Sequence, residues 1–373
     1  MRRLAGWGPR GSRKPRLLAA ALAVLSLALA LGAASALAAH AHGVSSKTSA
    51  HGLVGLLLPD VTSVRWNSQD APFFVAAMKK YAPGATVKVV NARGSVSGQL
   101  AQAENMLTAG AKVLVVAPQD GKAAAQIVAV AHKRHVPVVA YARPILNSPV
   151  DYFVSADVLG MGKIQGQWIA QHTKKGDNIV MINGDAADPN AGIIHRGNMI
   201  YLGQLFKSGA RHKVADQFTP SWDPAKAQTE MEQILTRTQN NVDAVLVAND
   251  GMASGVIAAL RAAGLAGKIP VTGLDASVGG LQLIIKGDQG MSVLIPIERT
   301  AQYAARTAAA LVQGKKPPKT LYKAKTFNGK VRVPTAFIPV QLITKNTIGL
   351  VIKDGDLTKA EICKGMPAGD GPC

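Results

Sequence analysis

The chain has 373 residues, enough for two domains of ordinary size, and 48% of them are hydrophobic, which excludes a wholly disordered protein. Lys and Arg outnumber Asp and Glu by 42 to 22, for a formal net charge of +20. The basic residues are scattered, mostly on predicted helix surfaces and near the carboxyl end, so a nucleic-acid surface is not indicated; they read as a solvated face, with a weak attraction to anionic membranes left open.

The amino terminus, MRRLAGWGPRGSRKPR, holds six basic residues and no acid. An Ala/Leu/Val run over 17–31 follows, and then the small-residue pattern Ala36-Leu37-Ala38. Residues 1–38 are expected to be a secretory signal peptide, cleaved on export, because the apolar run is short for a membrane span. A retained anchor is the alternative, and Arg2-Arg3 is only a weak twin-arginine hint. Cleavage removes six cations and leaves a net charge of about +14. Residues 39–50 read as a linker without periodicity.

Short apolar runs then alternate with helical patterns. Strands are predicted over 53–58, 86–90, 113–117 and 136–141, with helices over 71–81, 97–109 and 123–134. Such continuous apolar strands suit a parallel sheet buried on both faces. Residues 144–149 interrupt the pattern. It restarts with strands over 152–154, 179–182, 214–218, 244–247 and 271–273, separated by helices over 159–173, 191–208, 224–239 and 251–263. A helix at 278–286, a strand at 291–295 and a helix at 299–313 read as an addition to the first lobe. The apolar run 335–343 and the segment 351–354 precede a polar tail. The expected fold is α/β, with two doubly wound parallel-sheet lobes: 51–143 with 277–316, and 144–276 with 317–355, followed by a tail over 356–373. No repeat of solenoid period is present.

Cys363 and Cys373 lie together in CKGMPAGDGPC. In an exported protein they can close a small disulfide loop; two free thiols on a frayed tail is the other reading. No cysteine lies near the cleavage pattern, so a lipid-anchored precursor is not indicated.

Side chains at the carboxyl ends of parallel strands face the crevice where α/β sheets bind ligands. The strongest such segment is VDAVLVANDGMASGVIAAL at 242–260, where an apolar strand stops at Asn249 and Asp250 before a helix. Asp60, Arg65 and Trp66 follow the first strand in the same way. Arg143 follows the fourth, Asp188 and Asn190 lie in GDAADPNAG, Trp222 in TPSWDP, and Asp275 in TGLDAS. Carboxylates, amides and guanidinium forks can hold hydroxyl pairs, and tryptophan faces can cover the C–H face of a sugar ring. The set suits a neutral polyhydroxylated ligand. Plainer roles compete: Asp250 and Asp275 as helix caps, Asp188 and Asn190 as turn formers, the tryptophans as core, Asp60 and Arg65 as a surface pair.

Catalytic signatures are poor. No GxGxxG opens a helix, and neither GxxxxGK[ST] nor GxSxG is present. His40, His42 and His51 lie in or beside the linker, and His132 and His135 at a basic helix end. His172, His195 and His212 lack acidic partners at triad-like or metal-like spacing. No cofactor, metal or covalent chemistry is expected.

Taken together, VRW at 64–66, QAENMLTAGAKVLVVAP at 102–118, VVAYAR at 138–143, NGDAADPNA at 183–191, VANDGMASG at 247–255, GLAGKIPVTGLDA at 264–276 and VIKDG at 351–355 carry a resemblance. The chain resembles the periplasmic sugar-binding proteins of ABC transporters, ribose/galactose type, and within them the xylose-binding branch. The resemblance implies two lobes joined by three hinge segments and a monosaccharide, a pentose or related sugar, held between them. It also implies docking of the closed, monomeric form onto an inner-membrane ABC permease. Its sugar contacts fall on Arg65, Trp66, Arg143, Asp188, Asn190, Trp222, Asn249 and Asp275. Three positions depart from the pattern: Ala142, Leu274 and Ile295 replace an Asp, a Gln and a Lys. A sensory receptor of the same fold is the nearest alternative function, and an exported carbohydrate enzyme a more distant one.

Overall fold

The computed structural model describes residues 52–373; the predicted signal peptide and linker lie outside the described residues. Strands β1 (Gly52–Leu58), β2 (Ala85–Asn91), β3 (Ala111–Val116), β4 (Val138–Tyr141) and β5 (Tyr152–Ala156) pair in parallel in the order β2-β1-β3-β4-β5. Strand β11 (Arg332–Ile338) joins in parallel beside β5, and β10 (Ala324–Phe327) closes the edge antiparallel, giving seven strands. Side chains along a strand alternate between faces. Val54, Leu56 and Leu58 accordingly pack under α1 (Ala71–Tyr81) and α9 (Ile297–Val312), while Leu57 packs under α2 (Val96–Thr108) and α3 (Ala125–His132). Both faces are covered, which is why the central strands are apolar throughout.

The second lobe is built on β6 (Asn178–Asn183), β7 (His212–Phe218) and β8 (Ala244–Val247), parallel in the order β7-β6-β8. Its helices are α4 (Val158–Gln171), α5 (Pro189–Lys207), α6 (Pro224–Thr238), α7 (Asp250–Ala262) and α8 (Val278–Lys286). An antiparallel pair, β9 (Ser292–Leu294) with β12 (Gln341–Ile343), and the short helices α10 (Gly349–Asp354) and α11 (Lys359–Cys363) complete it. Helix starts are set by polar caps. Asp157, Asp188, Asp223, Asn249 and Ser277 each accept an N–H from the first turn of α4 to α8 in order, meeting donors that the helix leaves unpaired.

The chain passes between the lobes three times, at 156–158, 295–297 and 338–341. These positions correct the expected lobe boundaries. The 144–149 break is a loop within the first lobe, with Ile145 and Val150 buried in its core, and it returns the chain to β5 beside β4. Helix α8 and β9 belong to the second lobe, where Ile284 and Leu294 share one cluster with Ile348 and Ile362. Beyond residue 316 the chain forms the β10–β11 hairpin in the first lobe's sheet rather than entering the second. Each lobe repeats the same apolar alternation, so a crossing leaves no mark in periodicity. Strand β10 was not expected, and residues 271–273 make only a single bridge, Val245 to Val271. The tail is not free: Cys363 and Cys373 are joined as a disulfide, and Gln282 donates to the carbonyls of Ile362 and Lys364.

Candidate ligand-binding site

A cavity of about 540 Å³, mouth included, lies between the lobes. Arg65, Trp66 and Arg143 of the first lobe line it, as do Asp188, Asn190, Trp222, Asn249 and Asp275 of the second. All eight residues lie just beyond the carboxyl ends of strands, in the loops, short helical turns or first helical turn that follow. Ala142, Leu274 and Ile295 line it too.

The first lobe's wall is organised around Trp66. The guanidinium carbons of Arg65 and Arg143 stand 4.9 Å and 5.2 Å from its ring centroid, so one indole carries two cations. Arg65 donates through Nε and Nη2 to the Asp70 carboxylate at 2.9 Å and 3.0 Å, and its Nη1 lies 3.6 Å from Asp275. The Tyr141 hydroxyl donates to Asp70 Oδ1 at 2.5 Å. Burial works against the Arg65 cation and Asp70 outweighs it, so the guanidinium stays charged. Burial and the Asp70 carboxylate both push the Tyr141 phenol up, which keeps it a donor. Arg143 bridges the lobes, with Nε 2.7 Å from Asp188 of the second lobe and Nη2 3.2 Å from Asp60 of the first.

On the second lobe, Asp188 caps α5 by accepting the Asn190 N–H at 2.9 Å while it holds Arg143. Capping and facing the cavity are therefore not alternatives here; one carboxylate does both. Burial pushes the Asp188 carboxyl up, against the pull of Arg143. Asn190 donates across the cleft to Ala142 O at 2.9 Å, and Asn249 accepts the Met252 N–H at 2.9 Å as the cap of α7. Asp275 is no cap; Ser277 caps α8. Burial pushes Asp275 up to about 7, Arg65 opposes, and Asp250 and Asp70 add to the rise.

Trp222 sits on a turn whose shape depends on its neighbours. Asp185 Oδ2 accepts the Ser221 N–H at 2.7 Å, and Thr62 of the first lobe donates to Ser221 O at 2.8 Å. Gly184 lies under the indole: a Cβ there would fall 2.2 Å from ring carbons of Trp222. Backbone strain gathers around the cavity, with positive φ at Ala142 (58°), Trp222 (53°) and Asp275 (98°). Trp66 Nε1, Trp222 Nε1 and Asn190 Oδ1 are buried without a hydrogen-bond partner in the protein. Such groups are costly unless a ligand or water meets them.

Two candidates fall outside the lining. Asp60 is buried behind Arg143 and accepts the Ser63 N–H and the Thr62 hydroxyl, so it orients Arg143; the competing reading of a surface pair with Arg65 is not what forms. Asp250 is a buried node. It accepts Ser277 N–H at 2.8 Å, Ser277 Oγ at 3.1 Å, Gln289 Nε2 at 2.9 Å and Ser292 Oγ at 2.8 Å, and its own N–H bonds Leu274 O at 2.9 Å. Burial pushes it up to about 6. It fixes the turn that carries Leu274 and Asp275. His195, for which no acidic partner was expected, meets Asp216 at 3.1 Å because strand pairing brings residue 216 beside α5. Residues that sequence reasoning missed are Asp70, Tyr141, Asp185 and Gly184. Tyr141 carried a signal in its place at the end of a predicted strand, and Gly184 and Asp185 in theirs at the start of GDAADPNAG; Asp70 carried none.

Residues 54–316 match the family model described as a periplasmic binding protein domain. The D-xylose-binding periplasmic protein of Haemophilus influenzae is 36% identical over 84% of this chain and 94% of its own length. The Escherichia coli protein of the same name is 34% identical over 83% of this chain and 92% of its own. Among solved structures, an ABC transporter solute-binding protein from Clostridium phytofermentans with bound β-D-glucose is 29% identical, with a TM-score of 0.76 over 83% of this chain and 99% of that one. The chain belongs to the periplasmic binding protein family.

Proposed function

We propose that the protein is a periplasmic solute-binding protein that captures a monosaccharide, a pentose or related sugar, between its lobes and delivers it to an ABC importer. The observation that carries this reading is the meeting of eight side chains from both lobes around one cavity, lined by two indoles, one of them under two arginines, and by ion-paired carboxylates. Indole faces match the C–H faces of a sugar ring, and ion-paired carboxylates and guanidinium groups match its hydroxyls.

The mechanism proposed is hinge closure about the three crossings at 156–158, 295–297 and 338–341. A ligand that touches both walls favours the arrangement in which they face each other, by its differential affinity for that state. The closed form then docks on a permease in the inner membrane, as a monomer. Export by the amino-terminal segment and a periplasmic location are part of the proposal, supported by the names of the relatives. No catalytic step is assigned. A thermal-shift screen over a sugar panel tests the reading: a ligand of the native state raises the melting temperature, and a panel of pentoses and hexoses that leaves it unmoved would refute it.

A further inference from the structure

The cavity is divided in its chemistry. Its charged side chains are already paired, Arg65 with Asp70 and Asp275, and Arg143 with Asp188 and Asp60. Two guanidinium groups thus stand among four carboxyl groups, and no unpaired cation is left to receive an acidic ligand. Another part of the lining is apolar. Met161, Ile194, Leu274 and Ile295 belong to one cluster that continues into the second lobe's core. The Asp275 N–H donates to Val293 O at 2.9 Å, which lays the Leu274 turn alongside β9, the strand that leads to Ile295.

Two of the lining hydroxyls already give their protons to backbone carbonyls. Ser155 Oγ donates to Ala142 O at 3.0 Å and Thr300 Oγ1 to Pro296 O at 2.7 Å. A ligand hydroxyl laid against the side chains of Leu274 or Ile295, which carry no polar atom, would lose water and gain no hydrogen bond from them. One hydroxyl left so weakens binding by about tenfold, or about 1.4 kcal/mol.

We infer that the cavity takes an uncharged sugar with one reduced edge, deoxygenated or carrying a methyl group, laid on Leu274, Ile295, Met161 and Ile194, with its hydroxyls toward Asp188, Asn190 and Asp275. This rests on the monosaccharide reading above and narrows it. The reduced edge is what distinguishes the ligand from a fully hydroxylated pentose or hexose. Uncharged polar groups still without a partner, Trp66 Nε1, Trp222 Nε1 and Asn190 Oδ1, require that the remaining edge keep its hydroxyls.

Calorimetric titration of the purified protein with matched pairs is the test: D-galactose with D-fucose, L-mannose with L-rhamnose, D-glucose with 6-deoxy-D-glucose, D-ribose with 2-deoxy-D-ribose, and D-xylose and D-glucuronate alone. The tightest ligand is expected to be a deoxy member, binding about tenfold or more tightly than its hydroxylated counterpart, with no heat from D-glucuronate. A fully hydroxylated sugar as the tightest ligand, or binding of D-glucuronate, overturns the inference and leaves the monosaccharide reading intact. No heat from any sugar overturns that reading itself. In Leu274→Gln, which places a donor in the wall, the deoxy preference should shrink by fivefold or more. An unchanged ratio in the folded variant removes Leu274 from the wall. Should that variant not fold, Ile295→Thr adds a hydroxyl with the same branching and is read in the same way.

Discussion

Asp70→Asn isolates the support behind the site from the site itself. Asp70 is fully buried and does not line the cavity, yet it accepts two hydrogen bonds from Arg65 and one from Tyr141. Asparagine keeps the volume but turns one oxygen into a donor facing the guanidinium, and it leaves a buried cation without its nearest counter-charge. Removing one partner of a buried ion pair costs about 3–5 kcal/mol. A folded domain with about 5–15 kcal/mol in hand survives this, so the variant should still fold with a lower urea midpoint and an unchanged denaturant slope. Arg65, released from Asp70, has Asp275 as its remaining partner at 3.6 Å and will move toward it. Ligand affinity should therefore fall at least tenfold, about 1.4 kcal/mol. The double variant Asp70→Asn/Arg65→Met removes the uncompensated charge. It should regain part of the lost stability and none of the affinity, a coupling that a double-mutant cycle reads directly. An unfolding free energy within about 0.5 kcal/mol of wild type for the single variant, or a double variant less stable than the single one, would refute the reasoning.

Other outcomes follow from the same geometry. Trp222→Ala should weaken sugar binding by about 1–3 kcal/mol while the far-ultraviolet spectrum is kept, by the burial value of a large apolar side chain; unchanged affinity in calorimetry would take Trp222 out of the site. Stability should rise as the pH is lowered from about 7.5 to about 5. Burial lifts Asp275 to about 7 and Asp250 and Asp356 to about 6, above their values in the unfolded chain, so the folded state binds the extra protons in that window; a melting temperature that falls there instead counts against it. Replacing Cys363 and Cys373 by Ser should lower stability by up to about 3 kcal/mol, because the loop they close is short, and leave affinity within twofold, since the tail packs on α8 away from the cavity; a tenfold loss of affinity would contradict this.

The strand ends were legible in the sequence because a buried parallel strand is a bare apolar run, and the first polar residues after it stand out. Asn249 after Ala244–Val247, and Arg143 after Val138–Tyr141, were found in this way. The lobe boundaries were not legible, because β5 and β9 look alike as sequence and only pairing tells that β5 joins β4 while β9 joins β12. Asp60 and Asp250 were visible as strand-end carboxylates. Whether such a group faces the cavity or holds a neighbour depends on hydrogen bonds to residues tens of positions away, such as Gln289 and Ser292 for Asp250. Asp70 gave no sign, since it lies inside a helical turn, and what fixes it beside Arg65 includes a hydrogen bond from Tyr141, 71 residues distant.

The contacts between the lobes show why both walls must be engaged. Arg143 to Asp188, Arg65 to Asp275, Asn190 to Ala142 O and Thr62 to Ser221 O all cross the cleft, and all would be lost if the lobes separated. Buried ion pairs return little net free energy once desolvation is counted, so these contacts alone bias the lobes weakly. A ligand touching only Trp66 and Arg65 would bind both arrangements equally and shift nothing. One that also meets Asn190, Trp222 and Asp275 binds only when the walls face each other, and its energy goes into closure. This separates two kinds of residue. Asp70 and Asp250, which shape the walls without touching the cavity, should change the affinity for every sugar alike when altered. Leu274 and Ile295, which meet the ligand's edge, should change the order in which sugars are preferred. A panel titration of Asp70→Asn beside Leu274→Gln therefore distinguishes support from selection: parallel losses in the first and a reordered series in the second.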